Sequence, residues 1–406
     1  MKPRIRKRSP LLQRCLQIVG ILLLAWTAIE VLYVRTALVR EASQQPPALG
    51  KEKIFIASIH WNNEAILRSH WNRAVVDLAK EIGRENVYVS VQESGSFDDS
   101  KGALRELDGR LQEAGVSRRI VLDNTTHFDE VTRTPAEAET GWIRTPRGQV
   151  ELRRIPYLAK LRNLVMEPLY ELQKGGLKFD KVLFLNDVVF NNWDVRNLLA
   201  TREGQYAAAC SLDFKHGSSF YDTFALRDAE WHDQLTQRWP FFRARTSRHA
   251  VKASLPVPVT SCWNGIVAMD AAPFYSENRL AFRGVPDSLA LSHLEGSECC
   301  LIHADNPLSP TKGVWLNPNV RVGYSGPAYE AVHSFQTSPW ISSYEIALGA
   351  WTNRILRWIT TPYFKEQVVQ GRVGMWRKRG ERNEERGVFC LINEMQVLIW
   401  NGWAHV

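Results

Sequence analysis

The stretch FDKVLFLNDVVFNNWD, Phe179 to Asp194, constrains the fold most. Val182 to Leu185 form an unbroken apolar run, which marks a strand buried on both faces, and it ends abruptly at Asn186 and Asp187 before Val-Val-Phe resumes. A carboxylate flanked by residues that favour burial is not an ordinary solvated group, and a partner is expected for it.

The segments around it alternate. KIFIASIH reads as a first strand, EAILRSHWNRAVVDLAKEIG as an amphipathic helix closed at Gly83, and NVYVSVQE as a second strand. SKGALRELDGRLQEAG is a second helix closed by Gly115, and RRIVLDN a third strand. Thr126 to Gln149, rich in Thr, Pro and charge, reads as a long surface loop. The next helix carries Leu158, Leu161, Val165, Leu169 and Leu172 at helical spacing and ends at Gly175-Gly176. Further strands are expected at YAAACSLDF, GIVAMD and VWLNPNVRVGYS. Such alternation argues for an α/β domain with a parallel sheet and helices on its faces.

In open sheets of this kind ligands bind beyond the C-terminal strand ends. The candidates are therefore His60 to Glu64, Glu93 to Asp98, Asp123 onward, and Asp187. A strand-terminal carboxylate can hold a hard divalent cation, and a cation can neutralise a diphosphate. A nucleotide-sugar transferase needs that arrangement to stabilise its departing nucleoside diphosphate. Helix N-capping is the plain alternative for Asp187, but Asn191, Asn192 or Asp194 suit that role better.

Composition matters mainly at the N-terminus. The net charge is +8, and MKPRIRKR alone carries five basic residues, so the rest is nearly balanced and nucleic-acid binding is not expected. Cys15 to Ile29 is uncharged, and the apolar run counted through Val34 is long enough to cross a bilayer, with Glu30 near its far edge. The basic flank predicts a cytosolic tail (1–10), a transmembrane signal anchor (11–34), a linker (35–52) and a lumenal body. A cleaved signal peptide is the competing reading, but no small-x-small cleavage site follows. Two features agree with a lumenal body: Asn124 opens a glycosylation sequon, and five of the six cysteines lie beyond the anchor. Because five is odd, at least one of them is free or pairs between chains. With no C-x-x-C pair, thiol metal binding is not expected.

Six motifs occur in order between about Phe55 and Ser325: VSVQESGSFDDSK, YLAKLRN, FLNDVVF, YDTFALRD, SCWNGIVAMD and SECCLIHAD. Together they resemble the fungal capsule-associated α-1,3-mannosyltransferase family, in which Leu-Asn-Asp replaces the D-x-D triplet of other GT-A enzymes. The resemblance implies a GT-A-like, Rossmann-type catalytic domain (53–334) with a mixed, mainly parallel sheet, GDP-mannose as donor, retention of configuration, a mannoside or other glycan acceptor, a divalent cation (Mn2+ or Mg2+), and a Golgi or other secretory-pathway membrane.

On that basis Asp187 is expected to ligate the metal and Asn186 to support it. His333 is a weaker ligand candidate after the last strand. Ser94, Ser96, Asp98, Arg162, Arg227 and Asp228 are donor-side candidates, Arg162 and Arg227 for phosphate. Glu298 at a helix start is placed to accept a proton or orient the acceptor. Asp213 ends a strand and, with Asp222, is expected near sugar hydroxyls. Trp263 offers a flat surface, Asn264 hydroxyl contacts, and Gly265 close backbone approach to ligand.

Plainer readings stand beside these. Trp263 serves equally as core, Arg162 as an exposed helix residue, and Ser94 to Asp98 as an ordinary turn. His60 and His303 are expected to be structural, and Cys299 and Cys300 to be disulfide or core residues. A non-catalytic glycan-binding or polysaccharide-export relative is the alternative function, and a different nucleotide-sugar donor the alternative substrate. Residues 335–406, with six tryptophans among arginines, form a C-terminal extension to which no chemistry is assigned.

Overall fold

The computed structural model describes residues 10–43, 45, 48–333 and 339–406. The basic tail 1–9, part of the linker, and the expected start of the C-terminal extension at Phe335 lie outside the described residues.

The first helix, α1 (Pro10–Ala42), precedes the body. The expected alternation then follows: β1 (Ile54–His60), α2 (Asn72–Ile82), β2 (Val87–Ser94), α3 (Ser100–Glu113), β3 (Ser117–Asp123), α4 (Arg154–Lys174) and β4 (Lys181–Leu185). Next come α5 (Asn192–Leu199), β5 (Ala208–His216), β6 (Val257–Ser261), β7 (Ile266–Asp270), α6 (Glu298–Asp305) and β8 (Val314–Gly323). The C-terminal part adds α7 (Ser343–Ile359), α8 (Tyr363–Arg377) and a hairpin of β9 (Gln396–Ile399) and β10 (Gly402–His405).

The main sheet runs β3-β2-β1-β4-β7-β5-β8-β6. β1, β2, β3 and β4 are mutually parallel, as are β5 and β8, while β7 runs antiparallel to both β4 and β5. This is the mixed, mainly parallel sheet of a GT-A-like domain. Its strands alternate between two cores. Val182 and Phe184 pack with Val165, Met166 and Leu169 of α4, whereas Leu183 and Leu185 pack with Val75 and Leu78 of α2 and Leu198 of α5. Burial on both faces explains the unbroken apolar run, and truncating Phe184 to Ala would cost about 3–5 kcal/mol.

The topology gathers one edge. The C-termini of β1, β2, β4, β5 and β8 and the N-terminus of β7 all emerge there, bringing His60, Ser94, Asn186, Asp213, Gly323 and Gly265 to the same side. Asn191 caps α5 through a capping box with Asp194, so Asp187 is not needed for that task.

Two local expectations need correction. Residues 126–149 are not one loop, because Thr126 caps a short helix, His127–Thr132, and Trp142–Arg144 pairs with Val150–Leu152. The helix before Gly83 is interrupted by a π-turn at Leu67–Trp71, which buries Trp71 and lets its Nε1 donate to the Asn186 carbonyl at 3.0 Å. The C-terminal extension is tied to the body: Cys390 bonds to Cys300, and Leu391 pairs with Gly296. A second disulfide joins Cys210 and Cys262, leaving Cys15 exposed and Cys299 buried as free thiols.

Candidate active site

Asp187 follows β4, and its Oδ2 accepts a 2.9 Å hydrogen bond from Asn63 Nδ2. Burial pushes this carboxyl up to about 6, outweighing the hydrogen bonds from its own backbone N–H and Asn63 and the charge of Lys215. Asn63 belongs to the turn after β1, where Asn62 takes a left-handed φ of 52° that asparagine tolerates. Three expected donor-side residues hold this turn in place. Ser94 Oγ donates to the His60 carbonyl (3.3 Å), Ser96 Oγ accepts from Asn62 N (2.9 Å), and Asp98 accepts from Glu64 N (3.0 Å). In the structure these groups therefore position Asn63. His60 bonds to Ser58 and Asn63, and burial holds its imidazole neutral with a value near 4. Sequence reasoning included Asn63 only within a range, and its pairing with Asp187 had no local signal.

Asp213 lies buried at the end of β5, receiving hydrogen bonds from Asn264 Nδ2 (3.0 Å), Asp222 N (3.2 Å) and Tyr324 Oη (3.1 Å). Burial first, and then the charge of Asp222, push its carboxyl upward. Asn264 is fully buried, and its Nδ2 also donates to the Asp222 carbonyl at 2.9 Å. That side chain organises the carboxylates and does not present itself to hydroxyls, as had been expected. Gly265 has φ +90°, and a Cβ there would meet Val322 Cγ2 at 2.4 Å. The close approach it permits is to the protein interior, correcting the ligand-approach expectation.

Glu298 opens α6 behind the N-cap Ser297, whose side chain accepts from Cys299 N. Arg162 Nε lies 3.0 Å from Glu298 Oε1, and both are buried. The guanidinium also stands 4.5 Å from the Trp263 ring centre. Trp263 is 1% exposed, packs against Phe184 and Phe282, and donates from Nε1 to Asn186 Oδ1 at 3.1 Å. It is thus a core residue at the cavity wall, with no open face for a ring to stack on. Arg162 is likewise not an exposed helix residue. Burial, with Glu298 and others adding, pushes the Cys299 thiol well up, so it is no nucleophile.

Arg162, Asn186, Asp222, Trp263, Glu298 and Tyr324 line a cavity of about 530 Å³, whereas Asp187 and Asp213 lie behind its wall, next in chain to Asn186 and bonded to Tyr324 respectively. The C-terminal hairpin closes another side with Gln396, Trp403 and His405, which sequence reasoning missed. Arg154 Nη1 donates to Gln396 Oε1 at 2.6 Å, and its guanidinium covers the Trp403 ring at 4.6 Å.

Three candidates are engaged elsewhere. Arg227 also borders the cavity, but its donors go to the carbonyls of Phe224, Leu226, Phe389 and Cys390, with Asp233 at 3.2 Å, leaving it poorly placed to hold phosphate. Asp228 accepts from the backbone of Ala244, Glu230 and His232, so it organises a turn. His333 stacks on Tyr329 and reaches Asp194 at 3.4 Å, not Asp187. Asn124 is exposed after β3, as an acceptor sequon requires. Among the described residues, the group of three ligand-type side chains close enough to hold an ion is Cys210, Cys262 and His303, but there the thiols are joined and His303 bonds to the Cys262 carbonyl.

A comparison with curated protein sequences found no match. Similar solved structures include a mannosyltransferase from Pyrobaculum calidifontis in complex with GDP-Man and Mn2+, 12% identical over 90% of this chain and 88% of that one, with a TM-score of 0.37. S. aureus TarS 1–349 is 12% identical over 82% of each chain, with a TM-score of 0.39. The model of the family described as Cryptococcal mannosyltransferase 1 matches residues 53–305, and the chain belongs to that family of glycosyltransferases.

Proposed function

We propose that this protein moves mannose from GDP-mannose to an α-mannoside, with retention and in α-1,3 linkage, in the synthesis of a capsule polysaccharide or other glycan. Family membership supports mannosyl transfer; donor, linkage and stereochemistry rest on the resemblance carried by the six sequence motifs. The observation that carries the reading is that Asn186, Asp222 and the Arg162–Glu298 pair line one cavity at the sheet edge from which Asp187 and Asp213 also emerge.

The residues present fit a divalent cation. Asp187 is a buried carboxylate that is in no salt bridge among the described residues and accepts from the Asn63 amide, and hard cations of this kind use one or two carboxylates together with substrate phosphates and water. When bound, a Mn2+ or Mg2+ ion would offset the charge of the departing diphosphate. Asn63 fixes the rotamer of Asp187, and Asn186 is fixed by Trp71 and Trp263. Glu298, held by Arg162, is a hydrogen-bond acceptor for the attacking hydroxyl, and Asp222 is placed for sugar hydroxyls. In the reaction the bond from the anomeric carbon to the GDP phosphate oxygen breaks, the acceptor oxygen bonds to that carbon from the same face, and the hydroxyl proton passes to the Glu298 carboxylate as GDP departs.

α1 anchors the body in a Golgi or related membrane as a type II protein with a lumenal catalytic part. Within its segment Gln13–Glu41 the most apolar 18-residue window has a mean hydropathy of 2.1, and none of that window is buried. The two disulfides and the exposed Asn124 suit an oxidising compartment.

The test is thermal stabilisation by GDP with manganese, followed by a transfer assay with GDP-mannose and a mannoside. Wild type should respond in both, and Asp187→Ala should lose both while keeping its far-ultraviolet spectrum. Undiminished transfer in excess chelator, or stabilisation by other nucleotides alone, would overturn the metal or the donor assignment respectively.

A further inference from the structure

α7 is apolar on two faces. Ile346, Gly349, Ala350 and Asn353 face the body, while Tyr344, Leu348, Trp351, Ile355 and Trp358 repeat at spacings of four and three on the other side. That second stripe is open: Tyr344 is 74% exposed, Trp358 68% and Ile359 72%. The turn into α8 continues it with Tyr363 and with Phe364 at 74% exposure. The charged neighbours Lys365 and Glu366 instead engage Asp233 and His232 of the body, leaving the aromatic pair alone at the surface.

What covers this stripe is indicated by its neighbour. α1 runs antiparallel against α7: Arg35 donates to Ser343 Oγ at 2.8 Å, and farther along Trp26 meets Trp351 at 5.9 Å while Thr27 accepts from Trp351 Nε1 at 2.9 Å. The C-terminal end of α7 therefore points toward the most apolar turns of α1, and the two exposed apolar surfaces are continuous. Glu30 marks the boundary, held by Arg354 of α7 and Lys252 of the body.

Beside the tip of α7 stands a group of cations. Arg243 donates to Thr360 Oγ1 at 2.7 Å, Arg357 sits one turn earlier beside Arg243 and Arg248, and Arg245 lies near Arg248, which also faces Asp228 and Glu230. Four arginines thus stand there against two carboxylates. Repulsion within such a group is relieved by an external anion, and the headgroup phosphates of a bilayer lie beside its apolar layer at this kind of junction.

We propose that Ile355–Phe364, with Arg243, Arg245, Arg248 and Arg357, is an interfacial membrane surface that lays the catalytic body onto the leaflet entered by α1. The aromatic and aliphatic side chains enter the acyl boundary, and the arginines meet anionic headgroups. The inference rests on the reading of α1 as an anchor and assigns a role to the C-terminal tryptophan-rich part.

The test uses the full chain in vesicles of phosphatidylcholine with and without phosphatidylserine. In a Cys15→Ser background, single spin labels are placed at Leu22→Cys, Ile359→Cys, Phe364→Cys and, as a control on the body, Leu291→Cys. Accessibility to oxygen and to a water-soluble nickel chelate is then read. Positions 359 and 364 should shift toward the lipid signature of position 22 while 291 stays aqueous, and Arg243→Gln with Arg357→Gln should remove the dependence on phosphatidylserine. An aqueous signature at 359 and 364 with a lipid signature at 22 overturns the proposal and leaves the anchor standing. Low accessibility to both probes marks a protein interface and also overturns it. An aqueous signature at 22 as well defeats the anchor, and the proposal with it. Equal depth in both lipid mixtures overturns the headgroup contact.

Discussion

Arg162 and Glu298 form a buried ion pair, 3.0 Å apart, between the middle of α4 and the first turn of α6. Removing one partner leaves the other charge stranded, so Glu298→Ala should lower stability by roughly 3 kcal/mol, read by urea unfolding. Glu298→Gln keeps a hydrogen-bonding group there, should cost less, and should still lose most transfer because an amide is a poorer acceptor for a hydroxyl. Full transfer by a folded Glu298→Gln enzyme would remove Glu298 from the chemistry.

Asp187 carries a stability cost that reports on its role. Its folded value of about 6 lies above the ordinary value of 3.8, so between those limits the folded chain holds the extra proton. The associated stability is fully present below about pH 4 and is lost as pH rises through about 6. At pH 7, without cation, Asp187→Asn should therefore be more stable than wild type by about 1–2 kcal/mol. Added manganese and GDP should stabilise wild type and not the variant. Equal stability of the two proteins at pH 7 and pH 4.5 would contradict this.

Trp403 covers one side of the cavity with Arg154 over its ring. Trp403→Ala should raise the KM for acceptor several-fold with a smaller change in the KM for donor, since Trp403 lines the cavity together with Asp222 and Glu298. The measurement is steady-state kinetics with each substrate varied in turn. A change confined to the donor would place the hairpin on the other side of the reaction.

Arg227 is a clamp, with its donors spent on four carbonyls from two chain segments. Arg227→Lys cannot satisfy them and should cost roughly 3 kcal/mol of stability. GDP affinity of the folded fraction, followed by calorimetry at low temperature, should stay unchanged. A selective loss of GDP binding with normal stability would restore the phosphate role.

Much of the architecture was legible because its signals are local. The continuous apolar run before Asn186 gave a central strand, and the periodicities of α2, α3 and α4 with Gly83, Gly115 and Gly175 gave helices and their ends. The π-turn at Leu67–Trp71 was not legible, since its residues keep helical spacing while Trp71 shifts to reach Asn186. The short elements within 126–149 were hidden by a polar composition that suits either a loop or a marginal hairpin. At the site, a charge after a buried strand singled out Asp187. Nothing local distinguished Arg227, which is spent on carbonyls, from Arg162, which faces the cavity, because both are arginines beside apolar motifs.

The sequence by itself determined the order of strands and helices and the exit of Asn186-Asp187 from a strand end, because burial and backbone periodicity act over a few residues. Only the tertiary structure decided which polar groups meet: Asn63 with Asp187 across 124 positions, and Arg162 with Glu298 across 136. Those pairings depend on how the chain crosses the sheet and returns to the same edge. The same holds for α7, whose second apolar stripe acquires a meaning only once α1 is seen lying against it.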